Sequence, residues 1–192
     1  MTEQGNLPTQ RVNISTQKML GGIGSILILL VIIPETVATL LGIVGVVLWF
    51  ISIYQLSNIL GKPSVFKKVL IGFVLNIVGT VIAFAFGLMS GISLSAYVRG
   101  ETGLTSGLGL FAVTIIFAYA IGLASSYFYK EAYEILAQAT AHNLFKIGGL
   151  LLFIGAITTI LFGLGLLLII VGYTVLAVAF FTAPNEVEVQ GA

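Results

Sequence analysis

The first long apolar stretch of the chain covers residues 18–54 and reads KMLGGIGSILILLVIIPETVATLLGIVGVVLWFISIY. A helix needs about 20 apolar residues to cross the hydrocarbon core of a bilayer, which is roughly 30 Å thick. The apolar block that contains this stretch runs from Met19 to Ile59 and is broken near its middle by Pro34 and Glu35. Because the block is too long for one crossing, it predicts two helices that form a hairpin.

Two further apolar blocks follow, at residues 69–128 and 147–183, and the first of these is interrupted by a polar segment at 90–106. Each block again has the length of two crossings. The chain is therefore predicted to be all-α, a polytopic transmembrane bundle of about six helices in three hairpins. The predicted helices are Lys18–Ile33, Thr36–Asn58, Phe66–Met89, Ser106–Tyr129, Leu144–Leu161 and Gly163–Ala183.

The predicted organisation is one transmembrane domain, residues 18–184, between two short tails. Residues 1–17 are polar and lack periodicity, so we expect a disordered N-terminal tail, and residues 185–192 are expected to be a short C-terminal tail. The first and fifth helices reach only about 22–27 Å at 1.5 Å per residue, so they need not cross the bilayer fully. The first apolar run could instead be a cleaved leader, but Ala38 offers a poor cleavage signal and we expect the run to be retained.

The composition supports a membrane protein. Hydrophobic residues make up 58% of the chain and charged residues 8%, whereas soluble domains are about 45–50% apolar and about 25% charged. The net charge of +1 gives no reason to expect a nucleic-acid partner. The chain contains no cysteine, which excludes disulfides and thiolate metal sites.

The basic residues are distributed unevenly between the two sides of the predicted bundle. Arg99 lies on one side, and all the others lie on the side of the termini: Arg11, Lys18, Lys62, Lys67, Lys68, Lys130 and Lys146. The positive-inside rule makes this second side cytoplasmic, so we expect a multi-pass protein of the cell membrane with both termini in the cytoplasm. Aromatic residues such as Trp49, Tyr129 and Phe180 close helices on that side and predict an interfacial belt.

The first and third blocks resemble each other. A shift of 127 positions places Gly21-Gly22 on Gly148-Gly149 and Val44-Gly45 on Val171-Gly172 without a gap. Both hairpins open from the same side, so the pattern predicts a parallel internal repeat. Chance matches are also common in apolar sequence of low complexity, and this alternative stays open.

Four short motifs suggest a family. They are Met19-Leu-Gly-Gly-Ile-Gly-Ser, Phe66-Lys-Lys-Val-Leu, His142-Asn-Leu-Phe-Lys-Ile-Gly-Gly and Val171-Gly-Tyr-Thr-Val-Leu-Ala-Val-Ala-Phe-Phe-Thr. With these motifs, the chain resembles the prokaryotic, often archaeal, membrane protein family named domain of unknown function nine-nine-six, over about Lys18 to Pro184. The resemblance implies an integral membrane location and a retained first helix, and it brings no established activity.

No combination of residues predicts catalysis or cofactor binding. The glycines at 21–24 lack the Lys-Ser or Lys-Thr of a phosphate-binding loop. His142 is the single histidine and the chain has no aspartate, so a Ser-His-Asp triad cannot form and a metal site is disfavoured. We expect Glu35 to interact with the dipole of the following helix, and we expect no enzyme activity, catalytic residue, cofactor or metal.

Small and polar residues within the predicted spans favour helix packing. Ala118, Gly122 and Ser126 recur at four-residue spacing, and Gly87 and Gly91 form one GxxxG pair. Such stripes let helices approach closely, either within one bundle or at a pore or oligomer seam. Gly72, Asn76 and Thr80 share one face of the third helix, and we expect Asn76 to bond to the fourth helix through Ser125 or a backbone carbonyl.

Two functions remain open from the sequence. The first is a non-catalytic scaffold or accessory subunit, supported by the lack of charged residues in the middle of the predicted spans. The alternative is a small channel or facilitator for a neutral solute, which the repeated hairpins and small residues allow. Expected partners are membrane lipids, contacted by snorkelling of Lys18, Lys67, Lys68 and Lys146, and either a second copy or a partner membrane protein.

The predicted topology can be tested with single cysteines, because the natural chain has none. In intact cells, Ser64→Cys and Ala139→Cys should be protected from a membrane-impermeant maleimide, and Ser93→Cys should be labelled. Labelling of Ser64→Cys before lysis would place the loop between the second and third helices outside the cell and contradict the positive-inside assignment.

Overall fold

The computed structural model describes residues 9–33, 35–98, 104–160 and 164–190. Within these residues the chain forms six α-helices and two short strands, which confirms the all-α prediction. In chain order the elements are β1 (Thr9–Asn13), α1 (Ser15–Leu29), a 3₁₀ turn (Leu30–Ile32), α2 (Thr36–Ile59), α3 (Pro63–Val98), α4 (Leu104–Thr140), α5 (Leu144–Thr158), α6 (Leu164–Thr182) and β2 (Glu186–Gln190).

Four of these helices are long and apolar enough to cross a membrane. Their qualifying segments are Thr36–Ile59, Pro63–Met89, Phe111–Thr140 and Leu164–Thr182, with mean hydropathy between 1.8 and 2.6. Helices α1 and α5 have 15 residues each and so measure about 22 Å at 1.5 Å per residue. The expectation of two short helices is therefore confirmed.

Helices α3 and α4 are longer than predicted at both ends. Helix α3 continues past Met89 to Val98, and α4 continues past Tyr129 to Thr140. Apolar composition marks where a helix would enter lipid, but the helix itself can continue while its backbone stays bonded. The Ser95 hydroxyl, for example, donates to the Ile92 carbonyl of its own helix at 2.7 Å. Arg99 lies outside the described residues.

The terminal segments differ from the expectation of two free tails. Strands β1 and β2 pair antiparallel, with Val12 opposite Val187 and Arg11 opposite Glu188. The Arg11 Nε lies 3.5 Å from the Glu188 carboxylate in an exposed ion pair, which contributes little by itself. Val187 is buried and the Ile14 amide donates to the Asn185 carbonyl at 2.8 Å, so the pairing continues to the first residues of α1. The pairing could not be predicted from the sequence, because the two strands are short and polar and lie at opposite ends of the described residues.

The chain divides into two compact units. The first, called here the terminal unit, combines Met1–Lys68 with Tyr129–Ala192, and the second, the hairpin unit, is Val69–Phe128. In the terminal unit α1 packs against α2, α5 packs against α6, and α1 also packs against α6. The hairpin unit contains the apolar parts of α3 and α4.

The core of the terminal unit lies at the end where β1 and β2 pair. The largest fully buried side chains there include Tyr133, Phe145, Phe180, Ile14, Leu56 and Leu136. Toward the opposite end of the first hairpin, large apolar side chains such as Val31, Val37 and Leu40 are at least half exposed. The strand-bearing end therefore has the packing of a soluble core, and the opposite end presents the apolar surface that lipid requires.

Glycines set the close approach within the first hairpin. A Cβ atom added at Gly24 would lie 2.7 Å from the Trp49 nitrogen and 2.8 Å from the Gly45 carbonyl oxygen, both backbone atoms. A Cβ atom added at Gly45 would in turn lie 2.8 Å from the Ile28 nitrogen. Such contacts with backbone atoms cannot be relieved by rotating a side chain, so α1 and α2 require glycine at their crossing.

The predicted repeat agrees with the observed helices. After the shift of 127 positions, Ser15 falls two positions before the start of α5 at Leu144, and Thr36 falls one position before the start of α6 at Leu164. The packing also matches, because Gly45 of α2 contacts α1 and its equivalent, Gly172 of α6, contacts Leu152 of α5. Both hairpins thus place a glycine of the second helix against the first helix.

The glycine crossing predicts opposite effects for two alanine substitutions. Gly24→Ala should lower the free energy of unfolding by about 1–3 kcal/mol, because the added methyl overlaps backbone atoms. Gly87→Ala is the matched control, because an added Cβ there meets nothing within 4 Å, and its better helix propensity should leave stability unchanged or raise it by up to about 1 kcal/mol. Thermal unfolding in detergent measures both variants, and equal melting temperatures would contradict the close approach.

Candidate functional site

A recess in the hairpin unit is the strongest candidate for a functional site. It lies between α3 and α4 and is lined by Asn76, Gly79, Thr80, Ala83, Ala118 and Gly122. Its volume is about 150 Å³, which is smaller than the roughly 300–1,000 Å³ of typical ligand pockets. The recess brings together the two stripes that the sequence singled out, Asn76 with Thr80 and Ala118 with Gly122.

The hydrogen bonds beside the recess differ from the sequence prediction. The Ser125 hydroxyl donates to the Gly72 carbonyl at 2.7 Å and is buried there, one turn before Asn76. Thr80 donates to the Asn76 carbonyl of its own helix at 2.9 Å. The expected bond from Asn76 to the fourth helix, through Ser125 or a backbone carbonyl, is therefore wrong, because the Ser125 hydroxyl donates to the Gly72 carbonyl instead. Among the residues that the structure describes, the Asn76 amide has no hydrogen-bond partner and is exposed.

A polar network crosses the interior of the terminal unit. The Trp49 indole nitrogen donates to the Tyr133 hydroxyl at 2.8 Å, and both side chains are buried. Nearby, the Ser52 hydroxyl donates to the Gln17 carbonyl at 2.7 Å, and the Gln17 side chain bonds to Gln55. The first bond joins α2 to α4 and the other two join α1 to α2, so these polar groups stabilise contacts between helices.

Two members of the predicted aromatic belt belong to this interior. Trp49 is only 5% exposed and Phe180 is fully buried, so the belt prediction is wrong for both. Aromatic residues near a helix end are found both at membrane interfaces and in protein cores. Trp49 is held in the core by its bond to Tyr133, which lies 84 positions away in sequence. No local pattern around Trp49 would have identified this partner.

Three lysines at the strand-bearing end have carboxylate partners within the protein. Lys68 bonds to Glu131, and the Glu134 carboxylate lies 3.6 Å from Lys130 and 3.4 Å from Lys146. The pairs join the second turn of α3, the part of α4 beyond Tyr129 and the first turn of α5.

Lys18 is held by a backbone group, since its ammonium donates to the Ala183 carbonyl at 2.6 Å. The expectation that Lys18, Lys68 and Lys146 extend to lipid phosphates stays a prediction, and each of the three also has a contact within the protein. Lys67 is exposed, and for it the expectation stands.

The remaining titratable candidates occupy separate places. The His142 Nε2 lies 3.0 Å from the Thr182 hydroxyl, and its ring contacts Phe145 edge-on. Glu35 is exposed, with its carbonyl accepting a bond from the Thr39 hydroxyl. Within the described ranges, no three His, Asp or Glu side chains lie close enough together to hold a metal ion.

Comparison with known proteins gives a family and no activity. The chain matches the family model described as protein of unknown function (DUF996) over residues 41–174. It is similar to an uncharacterized protein of Methanocaldococcus jannaschii, with 35% identity over 179 residues that cover 93% of this chain and 97% of the relative. No solved structure matches the chain. The family match extends over more than half of the chain and agrees with the motifs noted in the sequence, so the chain belongs to the DUF996 family.

Proposed function

We propose that the protein is a non-catalytic scaffold or accessory subunit of the cell membrane, with both termini in the cytoplasm. The observation that supports this proposal most directly is the bond between Trp49 and Tyr133. It places the polar atoms of two large buried side chains in a contact between α2 and α4. A catalytic site needs titratable groups that are free to exchange protons with a substrate.

The other buried polar groups support the same proposal. Ser25 donates to the Gly21 carbonyl, Ser57 to the Lys62 carbonyl and Ser125 to the Gly72 carbonyl. No buried side-chain nitrogen or oxygen in the described parts of the chain lacks a hydrogen-bond partner. Polar groups that are already bonded inside the protein stabilise a fixed arrangement of helices, as a scaffold needs.

The recess between α3 and α4 supports the channel alternative less than it supports the scaffold proposal. A solute path needs polar groups along its length, replacing the hydration that the solute loses. Here Thr80 bonds to its own backbone, and the other lining residues apart from Asn76 are small or apolar. With its small volume, this recess suits contact with another helix better than passage of a solute.

The proposed structural role of Tyr133 predicts a loss of stability. Tyr133→Phe leaves the Trp49 indole N–H buried without an acceptor, which should lower the free energy of unfolding by about 1–3 kcal/mol. Tyr54→Phe is the matched control, because Tyr54 is 51% exposed and its substitution should change stability by less than about 0.5 kcal/mol. Thermal unfolding in detergent compares the two. If both variants melt with the wild type, the buried bond does not stabilise the bundle.

The scaffold proposal predicts that the protein passes no small neutral solute. Liposomes that contain the purified protein should re-swell in glycerol or urea gradients no faster than protein-free liposomes, as followed by stopped-flow light scattering. Asn76→Leu should behave the same way. Faster re-swelling with the wild type, abolished in Asn76→Leu, would overturn the scaffold proposal and establish the recess as a solute path.

A further inference from the structure

Asn76 occupies the position in its helix where an amide is least tolerated. The apolar part of α3 spans Pro63–Met89, and Asn76 lies at its midpoint. An amide without hydrogen bonds in hydrocarbon costs several kcal/mol, since the middle of a bilayer holds no water to bond to it. Because Asn76 is exposed and has no partner among the described residues, a group outside those residues has to supply one.

The surroundings of Asn76 are shaped for a helix. Gly122, across the recess on α4, has open space where a side chain would stand: a Cβ atom added there meets nothing within 4 Å. Gly79, in contrast, is already filled, because an added Cβ would lie 2.7 Å from the Ile121 side chain. The packing of α3 on α4 therefore explains Gly79 and leaves Gly122 with Ala118 as an unused small surface beside the amide.

The buried shares of the apolar windows also indicate that α3 and α4 have surface available for contact with another helix. One third of the apolar window of α2 and of α6 is buried, compared with 17% for α3 and for α4. The apolar windows of α3 and α4 are thus less covered than those of α2 and α6. Small residues at such a surface permit close helix association in lipid, where apolar burial alone gives no driving force.

The hydrogen-bonding groups of the Asn76 amide indicate what kind of partner can bind in the recess. A lipid acyl chain has no hydrogen-bonding group, and the headgroups lie about 15 Å from the bilayer midplane. A carboxamide has two N–H donors and a carbonyl acceptor, so it is complementary to another carboxamide. Two identical chains related by a two-fold axis bring the same residue to the same depth from both sides.

We propose that the protein forms a two-fold symmetric dimer in the membrane through the recess between α3 and α4, with Asn76 hydrogen-bonded to Asn76 of the partner subunit. This inference rests on the proposed scaffold function and names its partner as a second copy of the chain. Gly122 and Ala118 let the partner's helix approach, and the paired amides set the depth and register of the contact.

The contact can be detected by cross-linking, since the chain has no cysteine of its own. Ala83→Cys, in the recess, should give a disulfide-linked dimer when membranes are treated with copper phenanthroline. Val81→Cys is the matched control, because it is two residues away and 61% exposed but points to the opposite side of the helix. Cross-linking of Val81→Cys to the same extent would overturn the proposed interface.

Two substitutions test the interface by affinity. Two symmetric amide bonds at the average strength of such bonds in membranes correspond to about a tenfold change in affinity, so Asn76→Leu should raise the dimer dissociation constant about tenfold, measured by energy transfer between labelled copies as lipid is added. Gly122→Leu should abolish dimerisation by filling the recess, and its Cβ meets no atom of its own subunit within 4 Å; the melting temperature of the monomer, measured in the same variant, shows that the fold is kept. An unchanged dissociation constant in both variants would overturn the inference.

The outcomes separate this inference from the scaffold proposal. A wild-type protein that is monomeric at every lipid ratio and passes no solute overturns the dimer and leaves the scaffold proposal standing with a different partner. A monomeric protein whose glycerol or urea flux depends on Asn76 overturns both. Cross-linking at Ala83→Cys that is lost in the Ala83→Cys, Asn76→Leu double variant supports the dimer and its polar contact.

Discussion

Hydrocarbon supplies no hydrogen bonds, and this constraint determines where every polar group of the chain can be placed. Ser25, Thr80 and Ser125 meet it by donating to backbone carbonyls one turn away or on a facing helix. Trp49 meets it with Tyr133, whose own position depends on α4 continuing well past its apolar part. The extension of α4 is therefore part of the interior of the terminal unit, and the helix that carries it also enters the hairpin unit.

Satisfied polar groups and close backbone contacts act together in the first hairpin. Gly24 and Gly45 let the backbones of α1 and α2 approach, and the same approach brings the Ser52 hydroxyl to the Gln17 carbonyl at 2.7 Å. Dispersion contacts and hydrogen bonds each contribute little singly, but both require the same short separation between helices. A change that forces the helices apart should therefore weaken both kinds of contact at once.

The sequence predicted the helices better than the contacts between them. Helix α2 begins at Thr36 as predicted and ends one residue after Asn58, because hydropathy reports lipid exposure and Pro34 breaks the run. The ends of α3 and α4 were misplaced because a polar helix and a polar loop have similar compositions. Long-range partners were missed for a different reason: nothing near Trp49 encodes Tyr133, and nothing near Lys18 encodes the Ala183 carbonyl. At the recess, the sequence identified both stripes but assigned Ser125 to Asn76 rather than to Gly72.

Charge at the strand-bearing end has two separable roles. The excess of Lys and Arg on one predicted side supports the proposed orientation of the termini, because the positive-inside rule depends on the number and location of the charges. The pairs Lys68–Glu131 and Lys146–Glu134 also hold the ends of three helices in register. The carboxylates of Glu131 and Glu134 on α4 thus reduce the net positive charge of that end. Lys62 and Lys67 stay exposed at the surface.

The pairing of β1 with β2 also has a consequence for the order of events during synthesis. Thr9 is bonded in register with Gln190, so β1 is synthesised well before the strand with which it pairs. Until then α1 lacks both the strand pairing and its contact with α6, although its hairpin with α2 is complete much earlier along the chain. Ribosomal synthesis proceeds at about 5–20 residues per second, so roughly 10–35 seconds separate the appearance of the two strands. The contact between α1 and α6 and the pairing of the two strands can form only after α6 and β2 have been synthesised.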